Sequence, residues 1–138
     1  MIAELRDVNK VYRVGDNEIV ALQRTTMRIN TGEMLLIIGP SGSGKTTLLS
    51  LVGCVIYPTE GRLWVDGQEV NRMRENDLAR LRLNTIGFVF QQFNLIAPLT
   101  AEENVLMPLT LQGVPGSEAK ERAARALEIV GMTDRRKN

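Results

Sequence analysis

The first half of the chain contains MLLIIGPSGSGKTTLLS, residues 34–50, which joins an apolar run, a glycine-rich loop and an apolar-faced segment. A short continuous apolar run that ends at a glycine is typical of a strand buried on both faces. Met34–Ile38 is therefore predicted to be such a strand. Leucine and valine recur along Lys45–Cys54, which predicts a helix. The order strand, glycine loop, helix indicates an α/β fold.

The glycine loop matches the pattern G-x-x-x-x-G-K-[ST] without deviation and comprises Gly39, Pro40, Ser41, Gly42, Ser43, Gly44, Lys45 and Thr46. Such glycines let the backbone curl so that its N–H groups converge on phosphate oxygens. Lys45 is predicted to contact the β- and γ-phosphates, and the Thr46 hydroxyl suits Mg²⁺. Thr47 is a further candidate phosphate contact. The motif predicts a nucleoside triphosphate site, although it does not define the class of P-loop protein.

The segments around this loop give a coarse map of the fold. Alternating apolar residues in 1–33 and a turn signal that begins at Gly15 predict antiparallel strands. A short strand is also predicted at 63–65, followed by a turn at 66–67. Thr85–Phe90 is a second apolar run and is predicted to be a second buried strand. Glu75–Leu83 has the pattern of a helix. The predicted regions are therefore 1–33, an antiparallel β subdomain; 34–92, the P-loop core; and 93–138, the start of a helical subdomain.

Two helix starts are predicted in the last region. Thr100 and Glu103 have the spacing of a capping box, in which each side chain bonds the other residue's backbone N–H. Pro108 is expected to kink or shorten the helix that follows. Ser117 is predicted to cap a helix over Glu118–Val130.

Composition excludes several classes of function. The 138 residues carry a net charge of +1, so no strong electrostatic case exists for nucleic acid as a partner. The absence of histidine excludes a histidine-based catalytic triad, and a single cysteine cannot form an internal disulfide. No apolar run reaches the roughly 20 residues that span a bilayer. We therefore expect a cytoplasmic location, with any membrane role exerted through a partner.

Beyond the P-loop, several short motifs resemble the nucleotide-binding subunits of ABC transporters over essentially the whole chain. They are similar above all to the branch for lipoprotein release and macrolide export, which also includes the cell-division ABC ATPase. The motifs are VYRVG (11–15), VAL (20–22), PTEG (58–61), VDG (65–67), IGFVFQQFNL (86–95) and LTAEENV (99–105).

The resemblance implies specific roles. It implies ATP and Mg²⁺ as cofactors, with Tyr12 stacking on the adenine and Gln91 approaching Mg²⁺ and the attacking water. Gln91–Met107 would face an integral-membrane permease subunit, so that ATP binding and hydrolysis drive export or extraction from the membrane. The subunit would then lie at the inner face of the cell membrane. Packing of the apolar residues of 93–107 on the helix of 118–130 is an equally open interpretation.

The family pattern also includes a signature loop, an apolar strand ending in Asp-Glu and a switch histidine, none of which occurs in this sequence. We therefore expect a truncated cassette that binds ATP at most, exposes apolar strand edges and does not form the family's homodimer. Two alternatives stay open: another P-loop phosphotransferase, and a non-catalytic nucleotide-binding remnant that docks on a membrane subunit.

Overall fold

The computed structural model describes residues 1–90 and 92–138, which form two compact units, Met1–Ile86 and Gly87–Asn138. The first unit contains β1 (Ala3–Val14), β2 (Asn17–Ile29), α1 (Lys45–Val52), β3 (Glu60–Val65), β4 (Gln68–Glu69), a 3₁₀ turn (Val70–Arg72) and α2 (Glu75–Thr85). The second contains α3 (Ala101–Leu111), α4 (Gly116–Ile129) and a 3₁₀ turn (Thr133–Arg135).

The strands of the first unit form one antiparallel sheet in the order β2-β1-β3-β4. β1 and β2 form a long hairpin, and the turn between them uses Gly15 at a φ of +61°. Tight hairpin turns need such positive φ values, which glycine adopts at least cost. The predicted antiparallel region is therefore confirmed, as is the short strand that ends at Val65.

One face of this sheet supplies the core of the first unit. Leu5, Val8 and Leu63 are fully buried, and Leu51 of α1 and Leu78 of α2 belong to the same apolar cluster. Because successive strand residues point to opposite faces, Glu4 lies on the other face. Its carboxylate accepts hydrogen bonds from Arg6 Nη2 at 2.9 Å and Arg28 Nε at 2.8 Å.

The two predicted buried strands are wrong for the described residues. Met34–Ile38 and Ile86–Phe90 have no strand assignment, and Met34, Leu36 and Ile38 are 97%, 79% and 81% exposed. The α2 helix extends to Thr85, where the second strand was expected to begin. A strand exists only through hydrogen bonds to a neighbour, and no described residue pairs with either segment. An apolar run indicates that a segment favours burial. It does not identify the neighbouring strand that would pair with the segment and bury it.

In the second unit, the capping box of α3 is confirmed. Glu103 N donates to Thr100 Oγ1 at 3.2 Å, and Thr100 N donates to Glu103 Oε2 at 2.8 Å. The bond from Thr100 N foremost, and then one from the Thr100 hydroxyl to Glu103 Oε2 at 2.9 Å, hold the pKa of Glu103 below its ordinary value. The helix continues past Pro108 to Leu111, so the proline does not end it.

The predicted start of α4 is wrong by two residues. The helix begins at Gly116 after Pro115, and Ser117 lies inside the first turn without capping it. The rigid φ of proline favours the first turn of a helix, which explains why the helix begins directly after it. Ala119, Ala123 and Leu127 recur every four residues, and they form the buried side of α4.

Candidate nucleotide-binding site

The glycine loop curls between the exposed Met34–Ile38 segment and α1. Ser43 N donates to Pro40 O at 3.3 Å, which closes a tight turn. Gly42 and Gly44 have φ values of +80° and +88°, in the left-handed region that favours glycine. Gly44 is also the N-cap of α1. The loop therefore takes a curled backbone path that depends on its glycines.

The start of α1 presents unsatisfied backbone donors. The first bond of the helix runs from Leu48 N to Gly44 O at 2.8 Å. Within the described residues, no acceptor bonds the N–H groups of Gly44, Lys45, Thr46 or Thr47, and the first turn carries no acidic side chain. Free N–H groups and the positive end of the helix dipole together favour an anion such as phosphate.

Lys45 folds back over the loop. Its Nζ donates to Gly39 O at 2.9 Å and to Pro40 O at 2.6 Å, and Ser43 Oγ lies 3.4 Å away. The ammonium thus bonds the backbone carbonyls that frame the turn. Lysine offers three donors on a flexible stem, and here the Lys45 ammonium bonds two of the loop's own carbonyls.

A cavity of about 440 Å³ lies beside this loop. It is lined by seven predicted site residues, Ser41, Gly42, Ser43, Gly44, Lys45, Thr46 and Thr47, and by Ile19, Val20 and Ala21 of β2. Gly39 and Pro40 do not line the cavity, and they act through their carbonyls on Lys45. Ile19–Ala21 form a wall of the cavity that sequence reasoning missed. The turn signal beside these residues predicts a hairpin but does not predict what the hairpin packs against.

A β-bulge shapes that wall. Lys10 pairs with Leu22 and Val11 pairs with Val20, so Ala21 is the extra residue of β2. A Cβ placed on Gly44 would lie 2.7 Å from Ala21 O. The hairpin and the N-terminus of α1 therefore approach each other so closely that only glycine fits between them.

Tyr12 lies beside this cavity without lining it. It is 42% exposed and pairs across the hairpin with Ile19, which does line the cavity. Lys10 Nζ lies over the Tyr12 ring, 5.1 Å from its centroid. The structure therefore places the predicted adenine-stacking residue next to a residue that lines the cavity.

Gln91, the remaining predicted site residue, lies outside the described residues. After it, Phe93 and Leu95 are 91% and 67% exposed. Asn104 organises the loop that follows, accepting from Ile96 N at 2.8 Å and donating to Leu99 O and Thr100 O at 3.0 Å each. Sequence reasoning missed this role of Asn104, since an asparagine one turn into a helix carries no distinctive signal.

The described residues hold no cluster of three or more His, Cys, Asp or Glu able to bind a metal. No helix among them has the length and apolar character needed to cross a bilayer. Burial raises the pKa of the Cys54 thiol to about 11, against an opposing effect of Arg82, so the thiol is a poor nucleophile at neutral pH.

A family model described as ABC transporter matches residues 22–138. The chain belongs to this family. An uncharacterized ABC transporter ATP-binding protein of Thermotoga maritima is 48% identical over 134 residues, which are 97% of this chain and 57% of that protein. The macrolide export ATP-binding/permease protein MacB of Hyphomonas neptunium is 44% identical over 134 residues, 97% of this chain and 21% of that protein.

Solved ABC structures agree with the fold. The dimeric post-hydrolysis structure of the ATP-binding cassette MJ0796 with ADP and Pi matches with a TM-score of 0.90 and 41% identity. The match covers 99% of this chain and 60% of that one; MJ0796 belongs to Methanocaldococcus jannaschii. The chain thus spans 57% of the Thermotoga maritima protein and 60% of the MJ0796 chain, but only 21% of MacB. The predicted fold class and ABC family are confirmed, and family membership implies nucleotide binding.

Proposed function

We propose that this chain is the nucleotide-holding part of an ATP-binding subunit that couples ATP binding and hydrolysis to export or membrane extraction. The observation that carries the proposal is the loop at α1. Its N–H groups from Gly44 to Thr47 are free within the described residues, and these residues, Lys45 among them, line an open cavity. Membership of the ABC family and relatives named for macrolide export support the same function.

The residues present fit Mg-ATP. Lys45 would leave the carbonyls of Gly39 and Pro40 for the β- and γ-phosphates, while the free N–H groups accommodate the remaining oxygens. The Thr46 hydroxyl and the Gln91 amide oxygen are the proposed Mg²⁺ ligands. The bound ion would neutralise charge on the phosphates. Gln91 would also orient water, and Tyr12 would stack on the adenine.

Calorimetric titration of the 138-residue chain with Mg-ATP tests the site. Lys45→Ala removes charge-assisted hydrogen bonds to phosphate, which contribute about 1.5–3 kcal/mol, so we expect affinity to fall about 10- to 150-fold. Lys120→Ala is the matched control, because it removes the same charge from an exposed position on α4. Equal affinities of Lys45→Ala and the unaltered chain, or no binding by either, would contradict the proposal.

Phosphate release and phosphoryl transfer separate the alternatives. ATP hydrolysis that disappears in Lys45→Ala would reject a purely non-catalytic nucleotide-binding role. Transfer of the γ-phosphate to small hydroxyl or carboxylate acceptors would instead indicate another P-loop phosphotransferase. The long hairpin that forms one wall of the cavity favours the transport ATPase, since the family resemblance includes the residues of that hairpin.

We propose an integral-membrane permease subunit as the partner, bound through Gln91–Met107 at the inner face of the cell membrane. Support comes from the exposure of Phe93 and Leu95, since unpaired apolar side chains mark interaction surfaces. A photo-crosslinking residue at position 93 should form an adduct with a multispanning membrane protein. The same residue at the equally apolar and 76% exposed Ile129 should not. Adducts from both positions, or from neither, would contradict this assignment.

A further inference from the structure

Lys10 lies between the proposed adenine-stacking ring and the segment that follows α1. Its Nζ donates to Tyr57 O at 2.8 Å and lies 5.1 Å from the centroid of the Tyr12 ring. A lysine ammonium within about 6 Å of an aromatic face is attracted by the ring quadrupole. One side chain therefore contacts both the aromatic residue and a backbone carbonyl.

Tyr57, whose carbonyl accepts the hydrogen bond of Lys10, is itself held in place. Tyr57 packs against the core of the first unit, and its hydroxyl donates to Met73 O at 3.2 Å. Thr59 bonds both backbone groups of Val11: Val11 N donates to Thr59 Oγ1 at 3.0 Å, and that hydroxyl donates to Val11 O at 3.2 Å. The segment after α1 thus fixes both the Lys10 ammonium and the backbone between Lys10 and Tyr12.

We propose that Lys10 is a positioning residue for the nucleobase, acting through Tyr12; this rests on the proposed ATP site. The ammonium covers one face of the ring and holds the ring in one orientation, so that a purine stacks on the opposite face. Because Lys10 is anchored to the segment that leaves α1, the stacking ring and the phosphate loop are fixed relative to each other.

The alternative is that Lys10 only strengthens the packing of β1 on that segment. The two roles predict different changes in the affinity for the base and for the phosphates of the ligand. A positioning role affects the contribution of the base alone, whereas a packing role affects the whole site. Inorganic tripolyphosphate carries the phosphate chain without a base, so it separates the two contributions.

The test compares Mg-ATP with magnesium tripolyphosphate on the 138-residue chain by calorimetry. In the unaltered chain, base stacking should make ATP bind about 5- to 150-fold more tightly than tripolyphosphate. Lys10→Met keeps the length of the side chain but removes its charge. We expect that change to lower the ATP-to-tripolyphosphate ratio about three- to tenfold, with tripolyphosphate affinity unchanged within about twofold.

Three further variants sharpen the result. Lys10→Arg keeps a cation over the ring and a donor for Tyr57 O, so it should restore the ratio. Arg13→Met removes a positive charge from the same strand, where Arg13 pairs with Glu18, and should leave the ratio unchanged. In a Tyr12→Leu background, Lys10→Met should have no further effect on the ratio.

Each contrary outcome overturns the proposal in a distinct way. Equal weakening of both ligands by Lys10→Met would assign Lys10 to packing alone. An unchanged ratio, or a second loss of the ratio in the Tyr12→Leu background, would separate Lys10 from the stacking ring. If the unaltered chain binds tripolyphosphate and ATP equally, the phosphate site stands and base positioning fails. If it binds neither, the proposed function fails with it.

Discussion

Replacement of Gly44 by alanine tests whether the hairpin really closes on the phosphate loop. The glycine has a φ of +88°, and an added Cβ would lie 2.7 Å from Ala21 O and 3.2 Å from Leu22 Cδ1. Contact at 2.7 Å with a backbone oxygen cannot be relieved by rotating a side chain. Either α1 or the bulge at Ala21 has to move.

Gly42 supplies the control for the size of this effect. Its φ is +80°, and nothing lies within 4 Å of an added Cβ. Gly42→Ala should therefore cost only the strain of left-handed backbone, about 1–2 kcal/mol. Gly44→Ala carries the same strain and adds overpacking against Ala21 and Leu22, typically about 1–3 kcal/mol, for a total of about 2–5 kcal/mol.

Urea denaturation of the two variants and the unaltered chain measures the difference directly. In thermal unfolding, each 1 kcal/mol corresponds to roughly 4–8 °C for a unit of this size. Gly44→Ala should therefore melt well below Gly42→Ala. Equal losses of stability in the two variants would refute the reasoning, because the added loss in Gly44→Ala comes only from the close approach of Ala21 and Leu22.

Three other measurements follow from the structure. Cys54 should resist iodoacetamide at neutral pH until the chain unfolds, because burial raises the pKa of its thiol to about 11; rapid labelling of the native chain would contradict this. Hydrogen bonds from Arg6 and then Arg28 lower the pKa of Glu4, so its stabilising effect is present above the ordinary value near 4.5 and is lost as pH falls through the lower, folded-state value. Melting temperature should accordingly fall more steeply below pH 4.5 in the unaltered chain than in Glu4→Gln, and parallel curves would count against the ion pairs. Thr100→Ala should destabilise the second unit by about 1 kcal/mol through loss of the capping box, seen as faster amide exchange across α3; unchanged exchange would show that the cap contributes nothing.

Features set by neighbouring residues were predictable from sequence. The capping box at Thr100 and the turn at Gly15 each depend on chemistry within a few positions of the chain, and the structure contains both. The P-loop backbone belongs to the same class, since its glycines define where a left-handed conformation is possible. Local rules suffice when the partners of a group lie within one turn of it.

Features that depend on distant partners were not predictable. Met34–Ile38 has the composition of a buried strand, yet no described strand pairs with it, and only Ile37 packs against the core while the other four side chains are exposed. The start of α4 was misplaced for a local reason, because Ser117 was taken as the cap whereas the helix begins directly after Pro115. The wall at Ala21 depends on the register of β1 and β2, and a bulge shifts that register by one residue.

The hydrogen bonds of Lys45 show how the loop accommodates its positive charge. A lysine among free N–H groups would repel them if it had no acceptor, yet the carbonyls of Gly39 and Pro40 supply two. Because the same carbonyls frame the turn, the Lys45 ammonium also stabilises the curled conformation of the loop. If Lys45 binds phosphate as proposed, the affinity for ATP would reflect the phosphate bonds gained minus the carbonyl bonds lost, and not the full strength of a lysine–phosphate contact. A Lys45 variant would then lose the proposed phosphate contact and also the hydrogen bonds to the carbonyls of Gly39 and Pro40. Calorimetry and denaturation of the same variant separate these two losses, because only the second appears in the absence of nucleotide.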